Sequence, residues 1–116
     1  MKEDNVILEK SFAFAVRIVK LYKYLIKEFK EYELSRQILA SGSSIGSNAE
    51  EAIGGVSKKD FINKMGISYK EARETRYWIR LLQATEYLDD KLAKSLLVDC
   101  EELIKILTSI LKTSKE

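Results

Sequence analysis

Apolar residues recur at alternating steps of four and three over the first quarter of the chain. One seam with this spacing runs through Leu8, Phe12, Ala15, Val19, Tyr22, Ile26 and Phe29. A second stripe beside it contains Phe14, Ile18, Leu21 and Leu25. This spacing is typical of a helix packed against other helices, and two adjacent stripes make a face wider than one helix contact covers. We therefore predict a long amphipathic helix over residues 5–31 that contacts more than one neighbour.

The second segment continues the pattern through a stretch of small residues. Its seam is Leu34, Ile38, Ser41, Ile45, Asn48 and Ala52, and it includes most of SGSSIGSNAEEAIGG, residues 41–55. Glycine inside a helix costs roughly 1 kcal/mol relative to alanine, so a small face indicates close approach of either a neighbouring helix or a ligand. No predicted strand precedes the glycines, as a nucleotide-binding loop requires. The sequence favours close helix packing over residues 34–54.

Glycine and capping residues mark the next boundaries. Gly54-Gly55 predicts that the second helix ends through a left-handed backbone conformation. Ser57, with Asp60 three residues later, predicts the N-cap of a third helix over residues 58–87. The seam of that helix is Phe61, Met65, Ser68, Ala72, Thr75, Ile79 and Leu82.

A fourth helix, over residues 89–113, can be capped by Asp89 or Asp90. Its seam of Leu92, Leu96, Asp99, Leu103, Ile106 and Ile110 is flanked by Ala93, Leu97, Cys100, Ile104, Leu107 and Leu111. Four helices with short connections favour antiparallel neighbours, so we predict an all-α, up-down-up-down four-helix bundle forming one domain, residues 1–116. The wide apolar faces of the first and fourth helices indicate contact with another subunit.

Composition narrows the classes of function. The chain has no proline and 33% charged residues, which suits helices. It has no histidine, so the commonest general base and metal ligand are missing and no Ser-His or Cys-His pair can form. Cys100 lies in a helical apolar pattern and is predicted to be a reduced core or interface thiol. No apolar run is long enough to span a membrane. We predict a soluble, cytoplasmic protein that is not an enzyme and uses no cofactor or small-molecule substrate.

Carboxylates interrupt a second stripe on the third helix, formed by Ile67, Glu71, Glu74, Trp78 and Leu81. The second helix adds Asn48 on its seam and Glu51 three residues later. Facing carboxylates can hold metal ions in helical bundles, but that arrangement also uses a histidine three residues after a glutamate, which this chain lacks. We therefore predict no metal site and favour a structural polar layer of Asn48, Glu71 and Glu74 that fixes the helix register.

Basic residues form two stripes, although the net charge is only +2. Residues 1–32 carry seven basic and five acidic side chains, and residues 57–88 carry seven and four. The first stripe consists of Arg17, Lys20, Lys23, Lys27 and Lys30, and the second of Arg73, Arg76 and Arg80. A row of cations on one helix face can follow a phosphate backbone, but many such rows are solvated faces. Both interpretations stay open from the sequence.

Several short motifs, in this order, resemble a known family. They are Ser44, Ile45, Asn48 and Glu51 in the second helix, Ser57, Lys58 and Phe61 at the start of the third, and then Ser68, Glu71 and Leu82. Together they cover nearly the whole chain and resemble the small bacterial four-helix bundle proteins associated with intervening sequences of 23S ribosomal RNA genes. Family members often have proline where this chain has Gly46, and a basic residue after the second helix where this chain has Ile53-Gly54-Gly55-Val56.

The resemblance implies a non-enzymatic bundle that assembles into a ring, a homopentamer. A related accessory protein of diversity-generating retroelements is similar in fold and binds nucleic acid and a reverse transcriptase. The resemblance therefore favours an accessory that binds RNA or a nucleoprotein through the two basic stripes. The alternative is a protein-binding scaffold or oligomerisation module whose apolar faces are the functional surface.

Overall fold

Four α-helices make up most of the chain in the computed structural model, which describes residues 2–115. They are α1 (Lys2–Phe29), α2 (Glu33–Ile53), α3 (Lys58–Ala84) and α4 (Asp90–Ser114). Each helix begins and ends within three residues of the position that the sequence predicts. Within the described part of the chain, none of these helices is both long and apolar enough to cross a bilayer.

Contacts between neighbouring helices show that each helix runs antiparallel to the next. Along each contact between neighbouring helices, the residue numbers rise on one helix as they fall on the other. The contacts are Ser11–Gly46 and Ile18–Gly42, Ser41–Thr75 and Ile45–Ser68, Ala72–Cys100 and Gln83–Asp90, and Lys10–Glu102 and Arg17–Asp99. The helices follow one another around the bundle, and α4 packs back against α1. The predicted all-α, up-down-up-down bundle is confirmed.

The core face of α1 is the second of the two predicted stripes. Its buried residues are Ile7, Ser11, Phe14, Ile18, Leu21 and Leu25. The first predicted seam, expected to pack against other helices, lies beside this face: Phe12 is 72% exposed and Val19 is also exposed. The expectation was wrong for these two residues, because both stripes have the same spacing and periodicity alone does not say which one points inward.

The cores of the other helices follow their predicted faces more closely. All of the predicted seam of α3 is buried except Phe61, which is half-buried. In α4 the buried residues come from both the predicted seam and its flank, namely Ala93, Leu96, Cys100, Leu103, Leu107 and Ile110. Asp99, predicted on the seam, is half-buried and pairs with Arg17 at the edge of the core. The α4 core is therefore centred one position away from the predicted seam.

The small residues of α2 allow α1 to approach it closely. A Cβ atom added at Gly42 would lie 2.8 Å from both Cγ atoms of Ile18, and one added at Gly46 would lie 3.1 Å from Ser11 Oγ. Distances this short leave no room for a larger side chain unless the helices separate. The interpretation of SGSSIGSNAEEAIGG as a close-packing helix face is confirmed.

Side chains cap three of the helices. Ser57 Oγ accepts a hydrogen bond from the Asp60 backbone N–H, and Asp89 Oδ1 accepts one from the Leu92 N–H, as the sequence predicts. The Glu31 carboxylate caps α2 by accepting bonds from three successive N–H groups, those of residues 33–35, at 2.8 to 3.2 Å. A carboxylate at this position satisfies donors that have no partner within the helix and favourably meets the positive end of the helix dipole.

The end of α2 differs from the prediction. Gly54 has φ −81°, and no glycine in the described residues has a positive φ. The left-handed residues are Lys30 and Glu86, which follow the ends of α1 and α3 with φ values of 51° and 69°. Gly55 is needed for space, because a Cβ atom there would overlap the Asp60 carboxylate. The glycine pair thus brings the α2–α3 connection close to the first turn of α3.

Cys100 is buried, and its Sγ donates to the Ala72 carbonyl oxygen at 3.3 Å. Burial raises the pKa of this thiol to about 12. At pH 8 only about one thiol in ten thousand would then be ionised, so we expect Ellman's reagent to leave the native protein unmodified and to label it fully in urea. Rapid labelling of the native protein, followed by absorbance, would show that the α3–α4 contact opens.

Candidate nucleic-acid interface

The lysines of the first stripe project from the outer surface of α1. Because residues 18, 21 and 25 point into the core, Lys20, Lys23 and Lys27 point outward, and all three are exposed. Lys30 follows the last residue of the helix, is also exposed, and has the left-handed backbone described above. Four cations therefore extend along the C-terminal part of α1.

Arg17 differs from these lysines because it is already paired. Its Nη1 lies 2.7 Å from Asp99 Oδ2, and its Nη2 donates to Ser95 Oγ at 3.0 Å. About two turns nearer the N-terminus of α1, Lys10 pairs with Glu102 at 3.0 Å. These contacts join α1 to α4 and neutralise both cations, so Arg17 holds the helix pair together and is a weaker candidate for a phosphate contact.

The arginines of the second stripe occupy three different environments on α3. Arg73 is exposed and lies over the ring of Tyr69, 5.9 Å from its centroid. Arg76 is half-buried, and its Nε atom is enclosed without a hydrogen-bond partner. Arg80 is exposed. Arg73 and Arg80 are therefore the members of this stripe that are open to an external anion.

Helix α4 lies between the two stripes and adds cations to them. Lys20 faces Leu92 and Leu96 of α4 across a groove, and Gln83 of α3 donates to Asp90 on the other side. The start of α4 carries two exposed lysines, Lys91 and Lys94. The two stripes lie on diagonal helices, and both of these helices pack against α4. We name the combined surface the basic face; its open cations are Lys20, Lys23, Lys27, Lys30, Arg73, Arg80, Lys91 and Lys94.

Lys91 and Lys94 were not among the predicted cations, although their spacing of three residues places them on one side of α4. This spacing could have been recognised, but the segment from residue 89 onward is net acidic, with six acidic and five basic residues, and was therefore not treated as basic. The acidic groups are distributed elsewhere: Asp99 and Glu102 pair with α1, and Asp89 caps the helix. Pairing within the bundle therefore engages two of the acidic groups of α4, while no ion pair of Lys91 or Lys94 is found among the described residues.

The five polar residues singled out on α2 and α3 make mostly local contacts. Ser44 Oγ donates to the Ala40 carbonyl at 2.6 Å, and Asn48 Nδ2 donates to the Ser44 carbonyl at 2.8 Å. Glu51 forms an ion pair with Lys64 at 3.1 Å. The α2–α3 contact also has direct polar links at two points, where Ser68 Oγ donates to the Ile45 carbonyl and Thr75 Oγ1 donates to Ser41 Oγ.

The two α3 carboxylates lie at the edge of this contact. Glu74 is exposed and accepts a bond from Trp78 Nε1 at 3.3 Å. Glu71 is half-buried; burial, followed by repulsion from Glu74, raises its pKa above the ordinary value. Across the described residues, no three acidic or cysteine side chains come together in a group that could hold a metal ion.

The fold and the arrangement of these motifs can be compared with known proteins. A crystal structure at 1.70 Å of a protein of unknown function from the S23 ribosomal protein family of Bacteroides thetaiotaomicron VPI-5482 is 52% identical, with a TM-score of 0.93. The match covers 95% of this chain and 98% of that one. The profile of the 23S rRNA-intervening sequence protein family matches residues 3–109. The chain belongs to this family. A comparison with curated proteins finds no match.

In this family member, several of the motif residues have structural roles. Ile45 is in the core, the Asn48 amide satisfies a carbonyl of its own helix, and Ser57 caps α3. Gly46 packs against Ser11. These motif residues therefore stabilise the fold, and a binding surface has to be sought among the exposed residues.

A second surface of this family member is apolar. Phe12 and Val16, 72% and 40% exposed, lie on α1 beside a groove of about 380 Å³ between α1 and α2. The groove is lined on the α2 side by three small residues, Ser43, Gly46 and Ser47, and by Glu50. We name Phe12, Val16 and this groove the apolar face. It lies on the α2 side of α1, whereas the basic face extends from Lys20 toward α4 and α3. Lys23 is the exception, because it comes seven residues after Val16 and shares its row on the helix.

Proposed function

We propose that this protein is a non-enzymatic, homo-oligomeric accessory that binds nucleic acid, preferably RNA, or a nucleoprotein in the cytoplasm. The observation that carries the proposal is the basic face, to which three helices packed side by side contribute cations. These lysines and arginines are exposed, and none of them forms an ion pair with another residue that the structure describes, whereas Lys10 and Arg17 of α1 are paired.

The dimensions of the basic face suit a phosphate backbone. Lys20 to Lys30 are ten residues apart, which is about 15 Å along a helix. Phosphates of one strand of a duplex follow each other at about 3.4 Å along its axis, so this distance corresponds to roughly four phosphates. Cations arranged in this way contact the backbone without reading the bases, so the expected binding is electrostatic and weakly selective for sequence.

The apolar face supports the oligomeric part of the proposal. A phenylalanine exposed to this extent beside an apolar groove is a feature of surfaces that bind another protein. The small side chains of α2 would let a helix of a second copy come near. The family resemblance implies five copies in a ring, and such a ring would repeat the basic face five times and strengthen weak contacts through multivalency.

The test of nucleic-acid binding is the double charge reversal Lys23→Glu with Lys27→Glu. We expect it to lower affinity for a structured RNA by at least about tenfold at low salt, because it removes two cations and adds two anions on the path of the phosphates. Affinity is measured by fluorescence anisotropy. The matched control is Lys58→Glu with Lys59→Glu, which makes the same charge change at the opposite end of the bundle.

Salt dependence provides a second measurement on the unmodified protein. With four phosphate contacts on a single strand, affinity should fall roughly 20-fold between about 50 and about 150 mM salt. Affinity that is constant over this range, or an equal loss in both double variants, would contradict binding at the basic face.

The second candidate function is a protein-binding scaffold or oligomerisation module without a nucleic-acid role, and the exposed Phe12 favours it. Native mass spectrometry of protein purified at low salt without nuclease separates the two functions. An oligomer with additional mass that ribonuclease removes supports the nucleic-acid-binding function. An oligomer whose mass is that of the protein alone supports the scaffold function.

A further inference from the structure

The boundary between α1 and α4 contains an aromatic residue among the cations. Tyr24 lies four residues after Lys20 and three residues before Lys27, so the three side chains share one row on the surface of α1. Tyr24 is 42% exposed. Lysines on both sides of an exposed aromatic ring form the combination by which proteins hold a single strand: backbone contacts and a stacking surface for a base.

Next to Tyr24 the surface is concave. A groove of about 350 Å³ is lined by Tyr24, Lys20 and Arg17 of α1 and by three leucines, Leu21, Leu92 and Leu96. This volume is at the lower end of the range for small-molecule sites, about 300 to 1,000 Å³, and can admit a group of the size of one nucleobase. The bonds from Arg17 to Asp99 and Ser95 hold the two walls together at one end.

A set of edge-to-face aromatic contacts supports the ring of Tyr24. Phe29 lies 5.8 Å from the Tyr24 ring with an interplanar angle of 76°, and Tyr87 lies 5.2 Å from Phe29 at 87°. These contacts connect the end of α1 to the segment before α4. A ring held in this way loses little conformational freedom when a base stacks on it, which favours binding.

The groove distinguishes a single strand from a duplex. In a duplex the faces of the bases are stacked on one another, so a duplex can use only the cations. We propose that the α1–α4 groove binds a single-stranded segment of the nucleic acid, with one base against Tyr24 and the flanking phosphates on Lys20 and Lys27. This inference rests on the proposed nucleic-acid function and names the form of nucleic acid that the basic face selects.

The test compares a fluorescein-labelled, unstructured RNA of about 20 nucleotides with the same strand annealed to its complement, at one salt concentration. We expect Tyr24→Ala to weaken binding of the single strand roughly 5- to 150-fold and that of the duplex less than about twofold. Tyr24→Phe keeps the aromatic ring, so its affinity for the single strand and for the duplex should stay within about twofold of that of the unmodified protein. Tyr77→Ala removes an exposed tyrosine that lies between Arg73 and Arg80 on α3, outside the α1–α4 groove, so it is the control for loss of an aromatic ring among cations without the groove.

Circular dichroism and oligomer mass first establish that each variant is folded, and Tyr24→Leu replaces Tyr24→Ala if the latter is not. An equal loss on the single strand and the duplex, no loss on either, or the same loss from Tyr77→Ala would overturn the groove proposal. In these cases salt-dependent binding by the unmodified protein would still support the proposed function. If the unmodified protein binds neither RNA, both proposals fail.

Discussion

Gly42→Val should lower the free energy of unfolding by about 3 kcal/mol, the upper part of the range for overpacked cores. The Cβ atom alone would lie 2.8 Å from two carbon atoms of Ile18, and valine adds two more methyl groups in the same space. Ile18 is fully buried between α1 and α2, so it has no free volume into which it can move. Relief therefore requires that the two helices separate, which would also disturb the contact between Ser11 and Gly46.

Urea unfolding followed by circular dichroism measures this change, with each protein at the same concentration because an oligomer's stability depends on it. The control is Gly66→Ala in the interior of α3, where nothing lies within 4 Å of the added Cβ. That substitution should stabilise the protein by about 0.5 to 1 kcal/mol through helix propensity alone. If Gly42→Val is as stable as the unmodified protein, the close approach of α1 and α2 is not a constraint on the fold.

The same pair of helices shows why periodicity predicted the elements better than their orientation. The buried stripe of α1 begins at Ile7 and passes through Ser11, a polar residue that made this stripe look shorter than the seam beside it. Serine is present there because Gly46 of α2 comes so near that a large side chain would not fit. The preference for a small residue arises from the partner helix, and the sequence of α1 by itself does not contain it.

Helix ends were predicted where one residue decides the geometry locally. Ser57 and Asp89 are caps because a short polar side chain reaches an N–H two or three residues later. The left-handed residues Lys30 and Glu86 could not be predicted in this way, because neither residue favours that backbone conformation. Backbone hydrogen bonds that close the last turn of each helix accompany this conformation.

Only part of the candidate site could be predicted from the sequence, because the rest depends on contacts between helices. Rows of lysine on one helix follow from spacing, so Lys20, Lys23 and Lys27 could be named from the sequence. Which cations are open depends on contacts across helices: Arg17 is held by Asp99, whereas Lys91 and Lys94 are exposed at the start of α4, where Leu92 faces Lys20 across the groove. The register between α1 and α4 determines the basic face, and spacing within one helix does not specify it.

Phe12→Asp should convert the proposed oligomer to a monomer at micromolar concentration. An exposed phenylalanine at the centre of an interface typically contributes about 2 kcal/mol or more, which is roughly a 30-fold loss of association at each subunit contact. In a ring every subunit contact carries the same substitution, and an aspartate enclosed without a partner adds a desolvation penalty. Because Phe12 points away from the core, the helical content and the unfolding transition of the monomer should stay measurable.

Sedimentation velocity measures the mass of this variant, and Val98→Asp provides the matched control. Val98 is 59% exposed on α4, outside the apolar face, so the same charge there should leave the oligomer intact. A monomer from Phe12→Asp with an oligomer from Val98→Asp places the subunit contact on the α1–α2 side, and leaves the basic face on the α4 side open to nucleic acid. The reverse result would put α4 in the interface and cover the start of the basic face, in which case nucleic-acid binding should rise as the oligomer dissociates.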